Sequence, residues 1–488
     1  METPRSRRLL GLLILTLSLV IWPGAPASAA AQQACSAPVP STTQPGYTVA
    51  DPDCDLGGTP FVPLTDAAGQ PLSTVHTGIV DGAAYRIEIP RHWRGDLVIF
   101  AHGYRGGGAT VWVDSPGLRA HHIAQGFAWA ASSYQRNGYD VGQGVRDSHA
   151  MIARFAAVAG RPARKVYMTG ASMGGHITAV AIEHFPRSFV GAMPYCGVLG
   201  DTELFDYFLD ANVTAAALTG APIEFPLAPG PEFVPTYGDF VRSRVLPGLG
   251  TGWGTGAPPT LSAAGQQWAG VVQQRSGGTR PGFDRALAYW NSLPAIAPLN
   301  TVPFLFGVYP GLSGGTQQIA EGNVTSNRFT LYQIDGDRRL SRAEWRLNRD
   351  VLRVARTDRA SSDLTGVPAV TGRPRIPVLS LHNIGDLFVP LSMEQVYAQR
   401  ARAHGKSRLF VSRAIRALGH CEFTQGELRQ GFDDLVRWVR TGHRPAGDAI
   451  LDRRRVAAAD FGCRFTEVDR PNFGAPCVRV DLGVASGD

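Results

Sequence analysis

The chain is poor in lysine. Lys165 and Lys406 are its only two, so arginine supplies nearly all of its 47 basic residues and its formal net charge of +7. Together with abundant alanine and 57 glycines, that usage points to a GC-rich bacterial coding sequence. Also missing is any block of like charge. The basic residues are scattered, which reads as solvated surface and excludes a nucleic-acid patch. No cysteines have the paired spacing of a zinc site. Beyond the N-terminus no apolar run approaches the roughly 20 residues that a membrane span needs.

What is present begins with a leader. Arg5, Arg7 and Arg8 precede an apolar run over 9–22, followed by Pro23-Gly24 and the small residues Ala27, Ser28, Ala29 and Ala30. That order predicts a signal peptide over 1–30. Ser6-Arg7-Arg8 loosely resembles a twin-arginine signal, and the general secretory route is equally consistent. Gln32 and Gln33 ahead of Cys35 do not suit a lipid anchor. The expectation is a secreted, extracellular protein with no stable membrane anchor. Its six cysteines, Cys35, Cys54, Cys196, Cys421, Cys463 and Cys477, all follow the leader. In an oxidising compartment they predict three disulfides. Cys35–Cys54 and Cys463–Cys477 would be local staples, and Cys196–Cys421 a long-range bridge.

Hydrophobic content of 44% and charged content of 18% suit a globular protein with a substantial core. Residues 31–78 read as an irregular N-terminal segment. Short apolar strands at 97–101, 127–133, 165–169 and 189–194 then alternate with helices at about 145–159 and 173–184, in a first core section at 79–199. The pattern resumes with strands at 376–381 and 408–412, in a second core section at 373–443. Alternation of this kind implies a mainly parallel sheet covered on both faces. Ser392 with Gln395, and Thr424 with Glu427, match capping boxes that would open helices after the last two strands. Residues 200–372, between the fourth and fifth strands, are too long for a loop and predict a cap-like insertion. Trp253, Trp268 and Trp290 within it would line a wall above the site, or else be core. Residues 444–488 form a tail.

Gly170-Ala171-Ser172-Met173-Gly174 matches G-x-S-x-G between a predicted strand and a predicted helix. A turn that tight strains the serine backbone, and flanking glycines avoid clashes with strand and helix. It holds a hydroxyl at a helix start, where backbone amides favour developing negative charge. Serine needs a base, oriented by an acid. Asp386 follows the fifth strand and His420 follows the sixth, on the edge of the sheet that carries Ser172. Asp201, after the fourth strand, is the rival acid. His382 and His176 read as packed, and His121, His122 and His149 lie before the nucleophile on helices or loops.

These motifs, with His102-Gly103-Tyr104 and Gly419-His420-Cys421-Glu422-Phe423, resemble the α/β-hydrolase superfamily, its serine esterases in particular. The resemblance covers about 84–200 and 371–442. It implies a Ser172–Asp386–His420 triad, an oxyanion hole from the main-chain N–H groups of Tyr104 and Met173, and no metal or organic cofactor. The partner would be a small-molecule or polymeric acyl substrate. Feruloyl esterases and tannases also place Cys beside the base, but pair it with a Cys beside the nucleophile, where this chain has Ala171. The expected reaction is ester hydrolysis through an acyl-enzyme. Peptide or amide cleavage is the alternative on the same machinery, and an inactive binding protein the alternative from another class. Asp335-Gly336-Asp337 has part of a calcium-loop pattern, but Gln333 and Arg338 break it, and Ser341 with Glu344 reads as a capping box. Asn212 and Asn323 open glycosylation sequons.

Overall fold

The computed structural model describes residues 34–55, 58–222, 233–254, 257–295, 300–307, 320, 322–337, 339–474 and 476–477. The predicted signal peptide lies outside the described residues. The central sheet has eight strands: β1 (Ser73–Val80), β2 (Ala83–Pro90), β3 (Asp96–Ala101), β4 (Phe127–Ser132), β5 (Lys165–Ala171), β6 (Gly191–Tyr195), β7 (Val378–Asn383) and β8 (Phe410–Ile415). Their spatial order is β8-β7-β6-β5-β3-β4-β2-β1. β3 to β8 run parallel, whereas β2 is antiparallel to both β1 and β4. This is the α/β-hydrolase fold.

The β1–β2 hairpin revises the sequence reading, which left 73–78 in an irregular segment. Asp81 and Gly82 close it with φ of 51° and 74°. Two left-handed residues make the turn whose twist matches antiparallel strands.

Strand residues alternate between two cores although both faces are buried. Leu97, Ile99, Ala128, Val166 and Met168 join helices α2 (Val141–Ala159), α3 (Met173–His184) and α8 (Ser392–Ala403) on one face. Val98, Phe100, Trp129, Tyr167 and Met193 join α1 (Arg119–Ala124) and α9 (Gln425–Thr441) on the other. α2 starts earlier than expected because Asp140 caps it, its side chain accepting from Gln143 N. Thr424 and Glu427 form the expected capping box of α9. The box expected at Ser392 does not form: Leu391 takes the cap position with helical φ and ψ. Gln395, its intended partner, instead donates to the carbonyls of Gly277 and Ile450.

Between β6 and β7 lie α4 (Glu203–Thr219), α5 (Ala263–Arg275), α6 (Phe283–Ser292) and α7 (Arg342–Asp350), with shorter helical turns. Trp268 and Trp290 are 0% and 4% exposed. They are therefore core, and Trp253 packs edge-on against Trp268. Asn212 and Asn323 are also buried, with side chains hydrogen-bonded to backbone, which is unsuited to glycosylation. Ser341 and Glu344 make the predicted capping box. In the tail, Asp448 N donates to Ser412 O and its carboxylate accepts from Ala414 N, which covers the free edge of β8.

Candidate active site

Strand register brings the key loops together. Ala171, Tyr195 and Leu381 stand abreast, as do Asn383 and Ile415, so the chain leaves β5, β6, β7 and β8 along one edge. Ser172 occupies the turn into α3 with φ 58° and ψ −121°. A non-glycine residue in that region carries strain that the surroundings must hold in place. They do so by close backbone approach. A Cβ on Gly170 would run into Gly174 O, and one on Gly174 into Ala101 O. Ser172 N donates to Tyr195 O at 3.1 Å, and Ser172 O accepts from Gly175 N at 2.8 Å.

Asp386 is fully buried, and its Oδ2 meets His420 Nδ1 at 2.6 Å. Its Oδ1 accepts from Phe388 N at 2.9 Å and Val389 N at 3.0 Å. The carboxylate is thus oriented by its own loop and aimed at the imidazole. His420 Nε2 is buried and hydrogen-bonded to no described residue. Phe388 packs against the His420 ring with centroids 5.0 Å apart. Asn383 joins the two loops, donating to Glu422 O and accepting from Glu422 N, each at 3.0 Å.

A covalent bridge adjoins His420, and Ser172 N bonds Tyr195 O, one residue before the bridge's other end. Cys196, directly after β6, is bonded to Cys421, next to His420. Cys35–Cys54 and Cys463–Cys477 complete the pairing expected from the sequence. A ring nitrogen of His420 and the two sulfurs of the Cys196–Cys421 bridge lie within 4.8 Å of one another. Since both sulfurs are spent in the disulfide, the cluster is no metal site.

The loop after β3 lies against the elbow: a Cβ at Gly103 would stand 3.2 Å from Ser172 Cβ. His102 anchors that loop. Its Nδ1 contacts Gly103 O at 2.7 Å, Nε2 contacts Ser133 O at 3.2 Å, and its ring stacks on Tyr134. Burial, then the Arg105 charge, holds the His102 imidazole well below its ordinary pKa. Half-buried Tyr104 follows, its phenol pushed up to about 12 by burial. Met173 opens α3, where main-chain N–H groups lack intrahelical partners.

Other candidates have structural partners. Asp201 is held by Arg400 at 2.6 Å and Val370 N at 2.9 Å. His176 is buried between Tyr139 OH and Pro368 O. Buried His382 contacts Glu394 and Val389 O. His121 contacts Asp433, His122 packs on Phe432, and His149 stacks on Phe185.

Sequence reasoning missed a clasp built from the insertion. Tyr207 OH donates to Leu387 O at 3.2 Å, and Arg280 Nε to Ile384 O at 2.6 Å. Trp290 Nε1 is shared between Gly385 O at 3.0 Å and Leu418 O at 2.9 Å. One indole therefore touches both the Asp386 and the His420 loops. Burial lowers the Arg280 guanidinium to about 10, with Tyr207 and Asp386 opposing the shift. No local spacing in the sequence marks these contacts.

The strained serine elbow on this sheet, with a hydrogen-bonded Asp–His pair on the loops after β7 and β8, is an arrangement of the α/β-hydrolase fold. No protein-family model matches the chain. An o-phthalyl amidase from Xanthobacter agilis is 29% identical over 102 residues, 20% of this chain and 22% of the amidase. The match thus spans only about a fifth of that relative's length. Solved structures with similarity include an esterase from Aspergillus oryzae, with TM-score 0.42 and 12% identity, covering 81% of this chain and 84% of that one. Feruloyl esterase B from the same organism gives TM-score 0.39 and 14% identity over 79% of this chain and 86% of that one. The acylaminoacyl peptidase of Pyrococcus horikoshii gives 0.36 and 10% over 78% of this chain and 44% of that one.

Proposed function

We propose that the protein is a secreted serine hydrolase that cleaves carboxylic esters through an acyl-enzyme. Ser172 attacks the acyl carbonyl and His420 takes the hydroxyl proton on Nε2. Asp386 holds the imidazole through Nδ1 and stabilises the imidazolium. The main-chain N–H groups of Tyr104 and Met173 receive the charge that develops on the carbonyl oxygen. His420 then returns the proton to the leaving alcohol, and water releases the acyl group by the same route. The observation that carries this reading is the 2.6 Å Asp386–His420 contact, which leaves Nε2 without a partner among the described residues in a fold whose elbow strains Ser172. Three disulfides suit an oxidising destination, and among the described residues no helix is long and apolar enough to cross a membrane. Residues 200–372 are taken to set substrate choice, since they leave and rejoin the sheet beside the catalytic loops.

A fluorophosphonate probe should label the wild type and leave Ser172→Ala unlabelled. p-Nitrophenyl ester hydrolysis should fall on the order of 10⁴-fold or more in that variant. Labelling of the alanine variant at the wild-type level refutes the assignment. The amidase likeness favours a second reading, hydrolysis of a phthalyl amide by the same residues. A phthalyl amide turned over with higher kcat/KM than any ester in a panel of esters and amides would select it.

A further inference from the structure

The insertion carries an outward surface that the catalytic reading does not use. α7 is fixed from within: Leu347 packs with Leu209, Val213, Val271 and Tyr332, and Glu344 is buried in the capping box. The segment before it is laced alongside. Ile334 N donates to Glu344 Oε1 at 2.6 Å, and Tyr332 N to Asn348 Oδ1 at 2.9 Å. Arg353 then grips the carbonyls of Asn327 and Thr330 at 2.9 and 2.6 Å. With Glu344 and Leu347 turned inward, helical spacing puts Arg342, Trp345, Arg346 and Arg349 on one outer stripe, and all four are exposed. Phe329 and Leu331 stand out from the adjoining segment.

The exposure is unusual in kind. Phe329 is 91% exposed, Trp345 63% and Leu331 58%. Single exposed apolar residues need no explanation, but this group sits on one braced unit. It is also cationic: residues 328–353 hold seven arginines against four acids. Of those acids, Glu344 is buried, and Asp350 and Arg349 offset one another at 2.6 Å. Asp335 and Asp337 accept from Asp337 N and Arg339 N in the turn before α7 and keep their charge, so seven arginines less four acids leave 328–353 at a net +3. Arg328 lies over the Phe329 ring at 5.4 Å, so cation and apolar group travel together.

We propose that this face docks on an anionic phospholipid surface. Trp345, Phe329 and Leu331 enter the interfacial zone while the arginines meet lipid phosphates. Charge complementarity selects an anionic partner. Leu331 selects lipid over an acidic polysaccharide, because an aliphatic side chain cannot stack on a sugar ring but gains by burial among acyl chains. The proposal is independent of Ser172, since its readout is binding.

The test is co-sedimentation of the purified protein with phosphatidylcholine vesicles, with and without phosphatidylglycerol, at low and high salt. Binding should require phosphatidylglycerol and fade with salt. Combining Arg342→Gln, Arg346→Gln and Arg349→Gln should weaken it about fivefold per charge, on the order of a hundredfold together. Phe329→Ser with Leu331→Ser and Trp345→Ser should weaken it about tenfold or more. Both sets alter outward side chains, so the melting temperature and hydrolysis of a soluble ester should stay as in the wild type. Failure to bind the mixed vesicles, equal binding to phosphatidylcholine alone, or unchanged binding by both variants overturns the proposal. So does retention on polygalacturonate that the same substitutions abolish, in a protein that ignores vesicles.

Discussion

Replacing Trp290 with phenylalanine keeps an aromatic ring against Phe304 and Phe388 and removes one N–H. That N–H serves the carbonyls of Gly385 and Leu418, one residue ahead of Asp386 and two ahead of His420. Depriving buried carbonyls of a donor costs about 1–3 kcal/mol, and the smaller ring adds about 1 kcal/mol. At no more than about 2 °C per kcal/mol in a chain this long, Tm should drop by no more than about 8 °C. The effect on rate should be larger than stability alone explains. The Asp386–His420 contact is 2.6 Å, and a shift of about 1 Å in a catalytic group costs about a hundredfold. In steady-state hydrolysis of p-nitrophenyl acetate, kcat should fall about 10–100-fold with KM changed by less than about threefold. Trp268→Phe is the control, because its N–H donates to Ala211 O, outside the Asp386 and His420 loops. It should lower Tm comparably and leave kcat alone. If Trp290→Phe keeps kcat within about twofold of wild type while Tm falls, the indole is only packing and the clasp has no part in positioning.

Gly174→Ala would drive a methyl group into Ala101 O, so soluble folded protein should be lost or destabilised by more than about 4 kcal/mol; a wild-type Tm would contradict the close packing of the elbow. Replacing Cys196 and Cys421 together by serine should cost about 2–5 kcal/mol and lower kcat, read by thermal melts and ester hydrolysis; wild-type values of both would show that the bridge restrains nothing. His382 gives a pH test. Burial pulls its pKa down, but the Glu394 hydrogen bond and charge outweigh this and leave it raised. Its stabilising contribution is therefore complete below the unfolded value of about 6.5 and fades as pH rises through the raised folded value. The Tm advantage of wild type over His382→Gln should shrink as pH rises from about 6.5 through the raised folded value; a constant or growing advantage over that range would show that His382 is neutral in the folded protein.

How much of this was legible in the sequence follows from the range over which each feature is encoded. The elbow was legible because Gly170, Ser172 and Gly174 answer to one local turn between a strand and a helix. Asp386 and His420 were legible because each closely follows an apolar strand, and strand ends in a parallel sheet share an edge. The helix starts at Thr424 and Ser341 were fixed by side chains three residues apart. The same pattern misled at Ser392, since Gln395 was taken up by Gly277 and Ile450, both remote in sequence. The β1–β2 hairpin had its turn signal in Asp81-Gly82. Its outer strand, however, is an exposed edge with little apolar alternation to reveal it.

The insertion was the least legible part, for a reason its tryptophans make concrete. Glycine, proline and tryptophan between 200 and 372 distinguish this segment from the sheet, but composition carries no information about which way an indole faces. Trp268 stacks on Phe306 and caps a carbonyl of α4, whereas Trp290 reaches the loops of Asp386 and His420. Both are buried aromatic residues on helices, and nothing in their neighbours tells them apart. The difference arises only when α6 is laid beside the chain leaving β7 and β8. Tyr207, from α4, and Arg280, ahead of α6, arrive at the Asp386 loop in the same way. Three residues of the insertion thus bind main-chain carbonyls of that loop, and one of them binds the His420 loop as well. An insertion so tied cannot move as a rigid lid without breaking buried hydrogen bonds beside Asp386 and His420. Any opening must therefore come from parts of 200–372 outside this clasp, while α4 and α6 stay with the sheet.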